Sequence, residues 1–261
     1  MTVQLPRFAQ GNDPGPSFVD LLKHSGLSPF SAPASEIDVP HGTTCLALRF
    51  ADGVLIAGDR RATAGNLIRS RHMDKVVQAD MYSGVAFSGA AGPSMEMIKL
   101  FQLQLEHYEK MEGKSLSLEG KANQLSAMIR ENMPAAMQGL TVLPLFAGFE
   151  PADGSGHIWD FDVTGGRYEE REHVTIGSGG MHAGTVLKVG WRSTLDRGAA
   201  VTLACRALWE AAEADAATGR PDFLRGLYPI MATIGASGWS TVPDAELETV
   251  FRTIEEEVRT R

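Results

Sequence analysis

The pattern of apolar and polar positions divides the chain at Thr43. Residues 1–42 contain six prolines with glycine, serine and aspartate between them, which leaves a short helical stretch near Phe18–Lys23. From Thr43 the apolar runs TTCLALRF and VLIAGD follow, joined by Asp52-Gly53, a pair typical of tight turns between strands. We interpret residues 1–42 as a leader and predict that a β-hairpin begins directly after it.

The rest of the chain alternates between groups of strands and pairs of helices. Apolar runs predict strands over 75–77, 84–87, 143–149, 157–163, 168–170 and 228–234. Helical periodicity predicts helices over 94–109, 118–137, 180–189, 195–217 and 243–259. Pro134 is expected to kink or end the second of these helices. This order favours antiparallel sheets with helices stacked outside them, an α+β sandwich with one core.

Composition and charge narrow the class of protein. Hydrophobic residues make up 43% and charged residues 21%, as in ordinary globular proteins. The formal net charge of -8 argues against non-specific binding to nucleic acid or to an anionic membrane surface. Cys45 and Cys205 stand far apart, which indicates reduced thiols. Without a secretory signal pattern or an apolar run of about 18 residues, we expect a cytoplasmic protein.

The sequence His41-Gly42-Thr43-Thr44 supplies a nucleophile if the chain is cut after Gly42. A threonine hydroxyl is weak without a base, and a free α-amino group, with a reference pKa of about 7.7–8.0, is such a base. Glycine before the cut gives little steric hindrance and accepts unusual backbone angles. A Gly-Thr-Thr triplet alone more often marks an ordinary strand start, so this interpretation depends on the charges that follow.

Asp59 and Lys75 are the two charges that could reach Thr43. Asp59 ends the second predicted strand, and Lys75 begins the next one after a polar loop. A lysine ammonium favours loss of a proton from a neighbouring hydroxyl, while a carboxylate keeps the lysine charged and oriented. Each charge alone is most often a surface charge, but together with Thr43 they predict a nucleophilic site at one end of the sheet.

Six ordered segments resemble the catalytic β subunits of the 20S proteasome, in particular the bacterial form found in actinobacteria. They are Gly42-Thr43-Thr44, Gly58–Thr63, Lys75, Ser88–Gly92, Gly177-Ser178-Gly179 and Asp215–Gly219. The resemblance covers essentially the whole chain after the leader. It implies a four-layer α-β-β-α sandwich of the N-terminal-nucleophile hydrolase type, with residues 1–42 a propeptide removed on maturation and 43–261 the catalytic domain.

The resemblance also implies roles for individual residues. The residues implied to act in catalysis are Thr43, Asp59, Lys75, Ser178, Asp215 and Thr218. Thr43 first attacks the carbonyl of Gly42 and then, with its amine as base, attacks substrate carbonyls. The backbone N–H of Gly89 is implied as the oxyanion donor, although a tight structural turn explains that glycine equally well. No metal or organic cofactor is needed.

A substrate pocket of apolar character is a further implication, which favours hydrophobic residues before the cut. Its implied members are Ala62, Thr63, Met73, Val77, Phe87 and Ala91. Ordinary sheet core is the alternative for the apolar ones. Three positions depart from the family pattern: Thr218 and Gly180 stand where serine is usual, and Arg220 where a second glycine is common.

The partners implied are a seven-membered ring of β subunits, rings of α subunits, and an ATPase ring that feeds unfolded, tagged proteins to the site. A simpler two-ring bacterial threonine protease is one alternative, which the Arg60-Arg61 pair and the long leader disfavour. An inert ring subunit is another, which intact Thr43, Asp59 and Lys75 argue against. Neither a P-loop lysine, an HExxH zinc motif nor a GxSxG elbow is present.

Overall fold

A computed structural model describes residues 43–260. The predicted leader and its cleavage residue Gly42 lie outside the described residues. The predicted first hairpin is confirmed, since β1 (Thr44–Phe50) and β2 (Gly53–Gly58) pair antiparallel from Cys45 opposite Gly58 to Phe50 opposite Gly53. The turn between these strands lies at Ala51 and Asp52.

Two five-stranded antiparallel sheets form the centre of the fold. In the first sheet β1 and β2 are joined by β10 (His173–Gly177), β11 (Ile230–Gly235) and β12 (Gly238–Thr241), in the order β10-β1-β2-β11-β12. The strands of the second sheet follow chain order and are β5 (Val76–Asp80), β6 (Ser83–Gly89), β7 (Val142–Glu150), β8 (Ser155–Phe161) and β9 (Arg167–Glu170). A separate short hairpin consists of β3 (Ala62–Ala64) and β4 (Leu67–Ser70).

Helices cover the outer face of each sheet. The helices are α1 (Ala91–Glu112), α2 (Leu118–Glu131), α3 (Met133–Ala136), α4 (Gly180–Gly190), α5 (Arg197–Ala214) and α6 (Asp244–Arg259). As predicted for Pro134, α2 ends before it, and the proline lies in the first turn of α3, where a missing N–H costs no hydrogen bond. Among the described residues no helix is both long and apolar enough to cross a membrane.

Three apolar clusters show the order of the layers. Successive residues of a strand point to opposite faces, so Leu46 packs with α4, α5 and α6 while Ala47 faces the second sheet. On the far side, Phe146 of β7 packs with Phe101 of α1 and Leu125 of α2. The layers are therefore helices, sheet, sheet and helices, and the predicted α+β four-layer sandwich is confirmed.

The prediction missed four strands. β3 and β4 lie in the segment read as a polar loop, and Leu67 in β4 is 74% exposed, so this hairpin buries little apolar surface. β10 alternates inward Val174 and Ile176 with polar residues, a signal that was present in the sequence. β12 has four residues and begins with Gly238, which is too short to produce a clear pattern.

Candidate active site

Strand pairing places Thr43 beside the ends of two neighbouring strands. Because β2 and β10 both run antiparallel to β1, their last residues meet the first residues of β1 at one edge of the sheet. Thr44 pairs with Gly177, and the amide of Asp59 donates to the Thr44 carbonyl at 3.1 Å. Asp59 and Ser178, each one residue beyond a strand, therefore flank the start of β1.

The Asp59 carboxylate is fully buried and accepts four hydrogen bonds. Its Oδ1 accepts from Lys75 Nζ at 2.7 Å and from the Thr44 amide at 2.9 Å. Its Oδ2 accepts from the Arg61 amide and from the Gly219 amide, both at 2.8 Å. Every partner is a donor, and the donors come from four separate parts of the chain. This arrangement holds a single negative charge in a fixed orientation at the sheet edge.

Lys75 forms a buried ion pair with this carboxylate. Neither side chain of the Lys75–Asp59 pair is exposed to solvent. A buried charge is strongly unfavourable unless it is paired and hydrogen-bonded, and both conditions are met here. The carbonyl of Lys75 also accepts from the Phe87 amide at 3.1 Å, which joins the lysine to the end of β6. The predicted convergence of Asp59 and Lys75 at the start of β1 is thus what the structure shows.

A second carboxylate, Asp215, joins two hydroxyl groups near Thr43. Ser178 Oγ and Thr218 Oγ1 each donate to Asp215 Oδ2 at 2.6 Å. Partial burial raises the pKa of Asp215, but these hydrogen bonds outweigh burial and leave the pKa below its ordinary value. The Thr43 nitrogen lies 3.4 Å from Ser178 Oγ, at the long limit of a hydrogen bond. Ser178, Asp215 and Thr218, which the resemblance matched, therefore form one hydrogen-bonded group, and Ser178 is its member beside the nitrogen of Thr43.

Gly177 allows the chain to pass close to Thr43. Its φ is +93°, and a Cβ built on it would lie 2.0 Å from the Thr43 carbonyl oxygen. Any side chain at this position would displace Thr43 or the end of β10. The close approach to Thr43 therefore requires glycine at position 177, the first residue of the Gly177-Ser178-Gly179 segment.

Gly89 lies at the end of β6, close to the same edge. A Cβ on Gly177 would be 3.5 Å from the Cβ of Ser88, so the Ser88-Gly89 pair borders the start of β1. Gly89 has φ of +102°, and a Cβ there would meet the Thr141 carbonyl oxygen at 2.2 Å. The structure therefore explains this glycine by close packing of β6 against β7, and the oxyanion role stays a prediction.

The six implied pocket residues differ in their surroundings. Phe87 is 2% exposed and belongs to the core beneath α1 and α2, with half-buried Met73 and Val77 packed against that core. Ala62 and Thr63 are half-buried in β3, and exposed Ala91 is the first residue of α1. The aromatic ring of Phe87 is thus accounted for by core packing, and the pocket stays a prediction.

Two of the departures from the family pattern have structural explanations. Arg220 pairs with Glu213, and its guanidinium lies 5.2 Å from the ring centre of Trp209, so the side chain extends along α5. Thr218 keeps the hydroxyl that serine would provide and uses it to donate a hydrogen bond to Asp215.

Burial raises the pKa of the Cys45 thiol to about 12, so this cysteine stays protonated and is not a nucleophile at neutral pH.

Sequence reasoning gave no role to Thr44, Arg61 or Gly219, although each contacts Asp59 through a backbone amide. Backbone contacts of this kind have no residue-type signal. The side chain of Thr44 did give a sequence signal, because it places a hydroxyl at the start of a strand that is otherwise mostly apolar. Within residues 43–260, no cluster of three or more His, Cys, Asp or Glu side chains is arranged to hold a metal ion.

Comparison with known proteins gives consistent results. The sequence model of the family described as "Proteasome subunit" matches residues 39–221. A "Proteasome subunit beta" of Acidimicrobium ferrooxidans is 55% identical over 260 residues, which cover 98% of this chain and 95% of that relative. A second "Proteasome subunit beta", from Stackebrandtia nassauensis, is 50% identical over 248 residues, covering 91% of this chain and 89% of the relative.

Proposed function

This chain belongs to the proteasome subunit family, as a β subunit with threonine-type endopeptidase activity, and we propose that Thr43 is its nucleophile. The observation that carries this proposal is the buried Lys75–Asp59 pair at 2.7 Å, whose carboxylate also holds the Thr44 amide. An enclosed lysine charge at the start of β1 has a clear chemical use if the neighbouring Thr43 hydroxyl must lose a proton.

The first reaction in the proposed cycle is maturation. Thr43 Oγ1 attacks the carbonyl carbon of Gly42, and the hydroxyl proton passes to the nitrogen of Thr43 as the peptide C–N bond breaks, so that an ester to the threonine oxygen replaces the peptide bond. Water then hydrolyses the ester, which releases residues 1–42 with a free carboxylate and leaves Thr43 with a free amine. Residues 43–261 are the mature catalytic domain. The 3.4 Å separation between the Thr43 nitrogen and Ser178 Oγ supports a place for this amine beside Ser178, which in turn donates to Asp215.

The same oxygen then cleaves substrate peptides. The free amine of Thr43 takes the hydroxyl proton as Oγ1 attacks the substrate carbonyl, and later delivers it to the leaving amine. The product half remains as an acyl ester until water releases it and regenerates the hydroxyl. Lys75 stabilises the negative charge that develops on the oxygen, Asp59 holds Lys75, and the Gly89 amide stabilises the oxyanion.

Substrate preference and context complete the proposal. We expect the pocket over β3, β5 and β6 to favour hydrophobic residues before the cut.

As a subunit, the chain assembles with other proteasome subunits in a complex. We propose that it does so as a cytoplasmic ring of seven, between rings of α subunits, with an ATPase ring that delivers unfolded, tagged proteins. Confinement of this kind keeps an unspecific protease away from folded neighbours.

Intact mass after co-expression with the α subunit tests the proposal. Wild-type chain in assembled particles should begin at Thr43, and the particles should cleave peptides. A Thr43→Ala variant should assemble, retain Gly42 and everything before it, and have no peptidase activity. Peptidase activity in the Thr43→Ala particles would overturn the assignment of the nucleophile. Assembled wild-type particles whose chains still carry Gly42 and cleave nothing would show an inert ring subunit.

A further inference from the structure

Thr44 is held on two sides, although nothing in the proposed chemistry uses its side chain. Its amide donates to Asp59 Oδ1 at 2.9 Å, and its Oγ1 lies 2.6 Å from Thr218 Oγ1. Both threonine side chains are fully buried. One residue thus touches the carboxylate system of Asp59 through its backbone and that of Asp215 through its hydroxyl.

The directions of these hydrogen bonds follow from the charge on Asp215. An ionised carboxylate only accepts, so Thr218 and Ser178 must each use their one hydroxyl hydrogen on Asp215 Oδ2. Thr218 then has no hydrogen left for Thr44, and Thr44 must be the donor in the 2.6 Å contact. By the same count, Ser178 presents a lone pair to the nitrogen of Thr43.

Together with the Thr43-Thr44 peptide bond, these contacts form a closed ring of covalent and hydrogen bonds. From the side chain of Thr44 the path runs through Thr218 to Asp215, and from there through Ser178 back to the nitrogen of Thr43. Both ends of the path lead to the same carboxylate oxygen. The orientation of the first residue is therefore set partly by the hydroxyl of the second.

Gly179 supplies an independent observation that the fold makes room for this contact. Its φ of -83° and ψ of 1° are open to ordinary residues, so its backbone does not require glycine. A Cβ at this position, however, would lie 2.2 Å from Thr44 Oγ1 and 2.7 Å from Thr218 Oγ1. Glycine is needed here for space, and the space is filled by the two hydroxyl groups.

We propose that Thr44 is a positioning residue, whose hydroxyl donates to Thr218 and thereby holds the amine of Thr43 in place for proton transfer. The inference rests on the proposed role of Thr43. A threonine at 218 suits this arrangement, because its branched side chain restricts χ1 and keeps the accepting oxygen directed at Thr44. Loss of the Thr44 hydroxyl should slow both maturation and peptide cleavage without preventing substrate binding.

Thr44→Val and Thr44→Ser in assembled particles test the hydroxyl separately from the shape. Valine keeps the volume and removes the donor, so kcat per matured chain should fall about tenfold while KM changes little. Without that donor Thr218 bonds less strongly to Asp215, so more of the carboxylate's negative charge acts through Ser178 on the amine of Thr43. The amine should then hold its proton more strongly, and the acid limb of kcat/KM, which reports the pKa of this base, should move to higher pH. Serine keeps the donor and should restore most of the rate.

A double-mutant cycle with Thr218→Val makes the test independent of any loss of stability. If the two hydroxyl groups act as one unit, adding Thr44→Val to Thr218→Val should cause no further loss of kcat. Additive losses would overturn the proposal, as would equal losses in Thr44→Val and Thr44→Ser. Wild-type kcat and pH profile in Thr44→Val would also overturn it, provided that Thr43→Ala particles are inactive. Active Thr43→Ala particles would instead overturn the proposed function.

Discussion

The Asp59→Asn substitution is a sharp test of the buried ion pair. All four partners of the carboxylate are donors, with two on each oxygen. An amide has one accepting oxygen and one donating NH₂ group, so two donors would face NH₂ in either orientation of the side chain. The substitution therefore removes two hydrogen bonds and the negative charge together, and leaves the buried Lys75 without a counter-charge.

The expected effects are large for a change of one atom. Breaking a buried ion pair by removing one partner costs about 3–5 kcal/mol, so urea denaturation should show a loss of stability of this size. Since Lys75 would lose the carboxylate that orients it, peptide turnover should fall by about 100-fold or more. Intact mass should show that most chains of this variant still carry Gly42 and have not matured.

Asp74→Asn is the matched control. Asp74 pairs with Arg60 at 2.9 Å, but its side chain is 64% exposed, and exposed pairs contribute about 1 kcal/mol or less. This variant should mature and cleave peptides like the wild type. If Asp59→Asn matured as fully and turned over peptide as fast as Asp74→Asn, the role assigned to the buried pair would be wrong.

Two further predictions concern a glycine and a histidine. Gly177→Ala would place a Cβ 2.0 Å from the Thr43 carbonyl oxygen, so this variant should not mature, and its intact mass should be that of the uncut chain. Gly154→Ala, with φ of +69° but open space around it, should only lower stability. Equal activity of the two variants would contradict this prediction. Burial lowers the pKa of His157, but hydrogen bonds to Glu169 and Asp153 outweigh burial and leave it above 6.5. Protonated His157 therefore stabilises the folded state fully below pH 6.5, and this contribution is lost as pH rises through the pKa of the folded state. The difference in free energy of unfolding between wild type and His157→Gln should shrink from about pH 5 to 8, and a constant difference would refute the prediction.

Local signals predicted the first half of the site. The Asp52-Gly53 signal predicted the β1–β2 hairpin, whose turn lies one residue earlier, at Ala51 and Asp52. A hairpin brings its open ends together, which places Asp59 near Thr43 without knowledge of the rest of the fold. Lys75 was predicted because it begins the next strand. Burial of the pair could not be read from the pattern, because it depends on β6 and on the loop that carries Gly219.

Tertiary pairing determines the other half, and local pattern does not reveal it. Ser178 follows β10, which the prediction missed, and Asp215 follows α5, which was predicted to continue beyond it to 217. Only the resemblance to a known family connected these residues with Thr43. The role of Thr44 was missed because a strand pattern says which face a residue occupies, and not which hydroxyl it meets there.

The four donors around Asp59 also set an order of events during synthesis. Thr44, Arg61 and Lys75 are made early, but the amide that completes the set belongs to Gly219, near the end of the chain. A growing chain on the ribosome therefore contains its threonine long before it contains a complete site. Under the proposed role of Thr43, the site would therefore become complete only after Gly219 has been translated and has folded against Asp59.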